Sequence, residues 1–292
     1  MHESSLPYIQ CVRCGHSLEL ETFEEKNEII EGLLSCVQCN GVYPIISSIP
    51  FLVEDLSLFF SIRAKLGGYL LLNVKDKKIK SLIKQSLQEI KKVGDDITDL
   101  ERNWVGIYKK SKYSAFQIKV RHVIKKLPQC DFVVEHGCSI GTMSEITAKS
   151  HGKIFGIDKS FFALLEAKKR KINNADFFLA DSLSRPFGTM KFDIVVALNV
   201  LELIEPLQLL KIIKMQAKRF VLLSDPYDYE RGKSSVKVRL DEKSLRSKLK
   251  QAGFKLINNT RKPSFISWKL DVNPRLELNY KVDLVLAAVL RK

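Results

Sequence analysis

The stretch Val133-Val134-Glu135-His136-Gly137-Cys138-Ser139-Ile140-Gly141 decides the fold. Its apolar start reads as a buried strand. The Gly-x-x-x-Gly after Glu135 lets the backbone turn tightly into a helix and pass close under a ligand. Working outward, Lys153 to Asp158 is a second strand whose last residue lies 23 positions after Glu135. Phe177 to Asp181 is a third, ending on an acid another 23 positions on. Phe192 to Leu198 and Phe220 to Leu223 are the fourth and fifth, and helical stretches (Phe161 to Lys171, Leu207 to Ala217) separate the strands. Asp241 to Ala252 reads as a helix closed by Gly253, followed by strands at Phe254 to Ile257 and Val282 to Leu290. Strands alternating with helices of this length predict an α/β, doubly wound, mostly parallel sheet of seven strands over residues 128–292.

Ligands of such sheets bind outside the carboxyl ends of the strands, where both acids lie. A carboxylate at Asp158 can accept the ribose hydroxyls of an adenosine, and one at Asp181 can meet the adenine amino group. A nicotinamide dehydrogenase shares the turn and the first acid. The second acid, in Ala180-Asp181-Ser182, and the fourth-strand text Phe192-Asp193-Ile194-Val195-Val196-Ala197-Leu198-Asn199 argue against it. With these features, residues 131–292 resemble class I S-adenosylmethionine-dependent methyltransferases. Their pattern D/E-x-G-x-G-x-G is met here with Ser139 in place of the middle glycine. The resemblance implies S-adenosylmethionine as cofactor, lined by Gly137, Ser139 and Gly141, with Glu135 near its amino group. It further implies Asp158 on the ribose, Asp181 and Ser182 on the adenine, and Asn199 near the reactive methyl.

At the N-terminus, Cys11, Cys14, Cys36 and Cys39 are spaced C-x2-C-x21-C-x2-C. Each pair can sit on a tight knuckle, and two knuckles complete a closed Zn–S4 site with no open position for water. One structural zinc is the expectation, with His16 a surface residue. Residues 8–53, with Tyr43-Pro44-Ile45 and Ile49-Pro50, resemble the small zinc-ribbon proteins that activate tRNA, rRNA and release-factor methyltransferases. The expected organisation is a zinc ribbon over 1–53, a basic helical connecting segment over 54–127, and the cofactor-binding domain over 128–292.

The net charge of +15 is concentrated in that middle segment. From Arg63 to Lys126 there are 17 Lys/Arg against 6 Asp/Glu. Leu82, Ile83, Leu87 and Ile90 recur there at helical spacing. Such a patch can hold RNA or be a solvated helical face. No apolar run reaches the ~18–20 residues needed to span a bilayer. The first residues lack a basic n-region leading into an apolar stretch, so no membrane association and a cytoplasmic location are expected.

Methyl transfer needs a nucleophile placed in line and, for some acceptors, a proton removed. After the fourth strand the chain reads Asn199-Val200-Leu201-Glu202-Leu203-Ile204-Glu205-Pro206. This is similar to the small-molecule methyltransferase version, with Leu203 where a histidine is frequent. Asn199 and, after the fifth strand, Tyr227 are the candidate catalytic or substrate-contacting residues. A small-molecule acceptor is favoured. RNA, through segment 63–126, and a translation-related protein are the alternative acceptors. A noncatalytic zinc-ribbon binding module with a degenerate cofactor site is the reading of a different class.

Overall fold

The computed structural model describes residues 1–111, 114–230, 232–233 and 235–290. Lys112, one of the basic residues of the middle segment, lies outside them. Four strands, β1 (Glu19–Glu25), β2 (Ile29–Ser35), β3 (Val42–Ile46) and β4 (Ile49–Leu52), form an antiparallel meander. Five helices follow: α1 (Leu56–Phe60), α2 (Ala64–Asn73), α3 (Lys77–Gln88), α4 (Thr98–Lys110) and α5 (Ala115–Lys125). The α/β body then runs β5 (Phe132–His136), α6 (Thr142–Ala148), β6 (Lys153–Asp158), α7 (Phe161–Lys168), β7 (Ala175–Ala180) and β8 (Phe192–Leu198). It is completed by α8 (Pro206–Gln216), β9 (Ala217–Asp225), α9 (Glu242–Gln251), β10 (Phe254–Leu256), β11 (Phe265–Asn273) and β12 (Leu276–Val289).

In the body the spatial order is β7-β6-β5-β8-β9-β12-β10. The first five strands are parallel, and β12 runs antiparallel to both β9 and β10. This is the expected mostly parallel seven-stranded sheet. The first and fourth strands meet at its centre, so the chain winds in opposite senses on either side and opens a crevice at the carboxyl ends of β5 and β8.

The strands are buried on both faces because neighbouring residues feed different cores. Val134, Phe155, Ile157, Val195 and Val221 face α8, α9 and the ribbon. Val133, Ile154, Phe177, Ile194 and Leu222 face α5, α6, α7 and the earlier helices. This two-sided demand explains runs such as Phe192–Leu198, which are apolar almost throughout rather than alternating.

The sheet does not stop at β7. Strand β4 pairs in parallel with it, Phe51 opposite Leu179 and Leu52 opposite Ala180, and all four β4 residues are buried. One continuous twelve-stranded sheet therefore carries ribbon and body. An exposed edge at β7 would be a template for aggregation, and β4 covers it. The expected boundary at residue 53 falls at the end of a strand that serves both units. The second addition is β11, which pairs with the first half of β12 as a long hairpin around Asn273-Pro274-Arg275. Among the described residues, no helix is long and apolar enough to cross a membrane.

The basic segment is folded onto its neighbours. Arg63 meets Glu101, Lys65 meets Asp99, and Lys75 and Lys78 reach Glu24 and Glu21 on the acid-rich β1. Lys109 pairs with Glu166 on α7, and Arg102 lies over the rings of Tyr69 and Phe162. The lysine pairs are exposed and contribute little in water, whereas Arg63–Glu101 is largely buried. Their alignment nevertheless shows that part of the positive charge answers acids of this same chain.

Candidate active site

At the end of β5 the chain makes its tight turn. Gly137, Ser139 and Gly141 all have positive φ, and Gly141 is the N-cap of α6. For Ser139, at φ +48°, the left-handed conformation costs a non-glycine residue about 1 kcal/mol or more. This is the place where the family pattern has its middle glycine. Gly137 is constrained differently: a Cβ there would lie 2.5 Å from Val200 Cγ2, in the loop after β8. Gly137→Ala should therefore destabilise the chain by about 2–4 kcal/mol through backbone strain and overpacking. Urea denaturation checks this, and adding Val200→Ala should restore part of the loss; no restoration would refute the contact.

Glu135 is buried beneath the turn, where Ser144 Oγ donates to its Oε2 at 2.5 Å. Burial, aided by the nearby negative Asp158, pushes its carboxyl up to about 8. His136 points to the opposite face and bonds Gln216 at 2.8 Å, so it lies apart from the turn. At the end of β6, Asp158 accepts from Ser139 N and Ser160 N, each at 2.8 Å. It thereby ties the first turn to the second, and its own burial raises its carboxyl. At the end of β7, Asp181 accepts from Leu183 N at 2.8 Å and pairs with Lys159 at 2.8 Å. Asn199, at the end of β8, has φ +56°, and its Oδ1 accepts from Ser224 Oγ at 2.8 Å.

These strand ends open into one cavity of about 330 Å³. Glu135, Gly137, Ser139, Asp158, Ser182 and Asn199 line it; Gly141 and Asp181 do not. Gly141 starts the helix behind the turn, and Asp181 faces Lys159, which does line the cavity. Tyr227 is elsewhere. Its hydroxyl donates to Asp283 at 2.9 Å, beside the buried Arg246–Asp283 pair, and burial with that charge holds its phenol well above the ordinary range. Its place in the structure is a lock between β9, β12 and α9.

The opposite wall was not foreseen from the sequence. Helix α4 carries Glu101, Trp104, Val105 and Tyr108 into the cavity, α5 adds Phe116 and Gln117, and β11 adds Trp268. Positions 101, 104, 105 and 108 form one helical stripe, a signal present in the sequence within the basic segment. The Tyr108 and Trp268 rings run parallel at 7°, centroids 6.3 Å apart, with Trp104 5.4 Å from Tyr108 and Phe116 5.9 Å from Trp268. Arg63 donates to Glu101 Oε1 through Nε (3.0 Å) and Nη2 (2.8 Å), which holds this carboxylate at the cavity wall. Burial raises the Glu101 carboxyl despite that partner.

The four ribbon cysteines meet at a separate place. Cys11 and Cys39 sulfurs are 3.4 Å apart, as are those of Cys14 and Cys36, and all four lie within 4.8 Å of one another. A tetrahedral Zn–S4 site with about 2.3 Å bonds has sulfurs roughly 3.8 Å apart, so the donor set fits zinc. Each knuckle closes on a left-handed residue, Gly15 after Cys14 and Asn40 after Cys39. The Tyr43 hydroxyl lies 3.0 Å from Cys11 Sγ, the kind of outer contact that orients a metal ligand.

Comparison with known proteins agrees with this fold. The methyltransferase domain family matches residues 133–219. Among curated proteins, none matches the chain by sequence. One similar solved structure is a chain in the complex that contains the Haloferax volcanii Trm112 methyltransferase activator. It is 15% identical, with a TM-score of 0.53, over 68% of this chain and 99% of that one. Another is the N-methyltransferase NodS from Bradyrhizobium japonicum WM9 in complex with S-adenosyl-L-homocysteine. It is 16% identical, with a TM-score of 0.50, over 68% of this chain and 100% of that one. At these identities the likeness concerns the fold. Residues 133–219 thus match the methyltransferase domain family, within a sheet of the class I methyltransferase fold that this chain extends with its own four-cysteine ribbon.

Proposed function

We propose that the protein transfers a methyl group from S-adenosylmethionine to a small-molecule acceptor. The observation that carries this reading is the single cavity in which the carboxyl ends of β5, β6 and β8 face an aromatic wall supplied by α4, α5 and β11. Glu135 would receive the cofactor's amino group, Asp158 its ribose, and Ser182 with Asp181 its adenine. Gly137, Ser139 and Gly141 shape the turn beneath it, and Asn199, fixed by Ser224, would stand beside the reactive methyl. The acceptor's lone pair attacks that methyl as the carbon–sulfur bond breaks. The protein's part is alignment and exclusion of water. The zinc is structural in this reading.

RNA is the weaker alternative because no Lys or Arg of segment 63–126 is among the described residues that line the cavity. Incubating the protein with methyl-labelled cofactor and fractionated cell extract tests the assignment. Label should enter the small-molecule fraction; incorporation into RNA or protein instead would overturn it.

Glu135 supplies a second check. With its carboxyl raised to about 8, it is mostly protonated at pH 7 and must ionise to accept a bound ammonium group. Binding of S-adenosylhomocysteine at pH 7 should release close to one proton, read as a dependence of the calorimetric heat on the buffer's ionisation enthalpy. The release should fade as pH rises above 8, and its absence at pH 7 would remove Glu135 from this role.

A further inference from the structure

The wall opposite the strand ends combines aromatic rings with a carboxylate and an amide. Glu101, Trp104 and Tyr108 share one face of α4, with Glu101 and Trp104 a single helical turn, about 5 Å, apart along the axis. Trp268 reaches the same wall from β11 and Phe116 from α5, so rings from three elements converge. Two buried oxygens at this wall, Glu101 Oε2 and Gln117 Oε1, have no hydrogen-bonding partner. Leaving a buried acceptor unsatisfied costs about 1–3 kcal/mol, so such atoms point to a ligand that donates. The formal charges agree. Among the described lining residues, Glu101, Glu135 and Asp158 are acids, and Lys159, the one cation, is paired with Asp181 at 2.8 Å. With the cofactor's amino group on Glu135 and its ribose on Asp158, Glu101 is the carboxylate left to the acceptor: an anion meets like charge there, and a cation meets that carboxylate and ring faces, both attractive.

We propose that the acceptor is a small arylalkylamine, its ring held among Trp104, Tyr108, Phe116 and Trp268 and its protonated amino group directed at Glu101 Oε2, which takes the proton the nitrogen must lose before its lone pair attacks the methyl. This rests on the methyltransferase reading and specifies its substrate class. Glu101 is then a binding residue, fixed by Arg63 so that Oε1 is occupied and Oε2 is offered to the ligand. Phosphate-bearing and carboxylate-bearing acceptors are disfavoured.

The chain contains two tryptophans, Trp104 and Trp268, and both line the cavity, so intrinsic tryptophan emission reports on this pocket. The full-length protein is first titrated with S-adenosylhomocysteine by calorimetry; no binding would overturn the methyltransferase reading itself. The saturated protein is then titrated with 2-phenylethylamine, phenylacetate and n-hexylamine while tryptophan emission is followed. The proposal expects 2-phenylethylamine to bind at least about tenfold more tightly than either other probe, a difference of about 1.4 kcal/mol. Cofactor-product binding without that preference would overturn the acceptor class and leave the methyltransferase reading in place. Glu101→Gln should reduce the preference over phenylacetate about tenfold while the emission maximum of the unliganded protein stays unchanged. Full retention of the preference would remove Glu101 from the site.

Discussion

Removing the zinc is expected to unfold the α/β body together with the ribbon in one transition. A ribbon that merely preceded the body would melt first and alone. That outcome is natural from the sequence, where residues 8–53 stand apart. The packing argues otherwise. Ile9, Cys11, Leu34 and Ile45 belong to the same core as Phe155, Phe178 and Phe187 of the body. Strand β4, held at the end of the ribbon, covers the β7 edge. Metal-binding energy of about 10–16 kcal/mol in small zinc domains is comparable to the whole stability of a typical domain. Cys11→Ser and Cys39→Ser should each lose the metal and lower the thermal midpoint by roughly 6 °C or more, the shift expected for about 4 kcal/mol in a chain of this size. Calorimetric scans with and without chelator check this. An unchanged body transition after complete zinc loss would show that the ribbon is an independent appendage.

The second large effect concerns Asp158. Its carboxylate does two jobs in this geometry. It joins the turns after β5 and β6 through Ser139 N and Ser160 N, and it is the acid placed to accept the ribose hydroxyls. Charge-assisted hydrogen bonds contribute about 1.5–3 kcal/mol each, so Asp158→Ala should weaken S-adenosylhomocysteine binding by well over tenfold. Part of that loss would come from the freed turn. Asp158→Asn retains one acceptor oxygen and should fall between the wild type and Asp158→Ala. If both variants bind like the wild type, neither role is correct.

Much of this architecture was legible in the sequence. The five parallel strands, the acids at their ends and the glycine turn were visible because buried strands and tight turns leave local signatures: short apolar runs, small residues, punctuation at fixed offsets. The four cysteines were equally plain, since metal geometry restricts their spacing. The β4–β7 pairing was not legible. Ile49-Pro50-Phe51-Leu52 and Ala175 to Ala180 are far apart in the chain, and parallel pairing leaves no mark in either segment alone. The aromatic wall was missed for a related reason. Trp104 and Tyr108 sit on a helix whose lysines suggested a solvated face, and Trp268 precedes a turn that gave no sign of where its hairpin would lie. Only tertiary packing brings these rings opposite Asn199 and Asp158. Tyr227 is the converse case: its position after the fifth strand made it conspicuous, and its hydroxyl is committed to Asp283.

In this reading the cavity between these walls holds S-adenosylmethionine. Calorimetric titration of the zinc-loaded, full-length protein with S-adenosylhomocysteine and, separately, with NAD tests it most directly. One S-adenosylhomocysteine should bind per chain, with affinity lost in Asp158→Ala and no competition from NAD. Tight NAD binding, or no S-adenosylhomocysteine binding by a correctly folded, zinc-loaded chain, would contradict it.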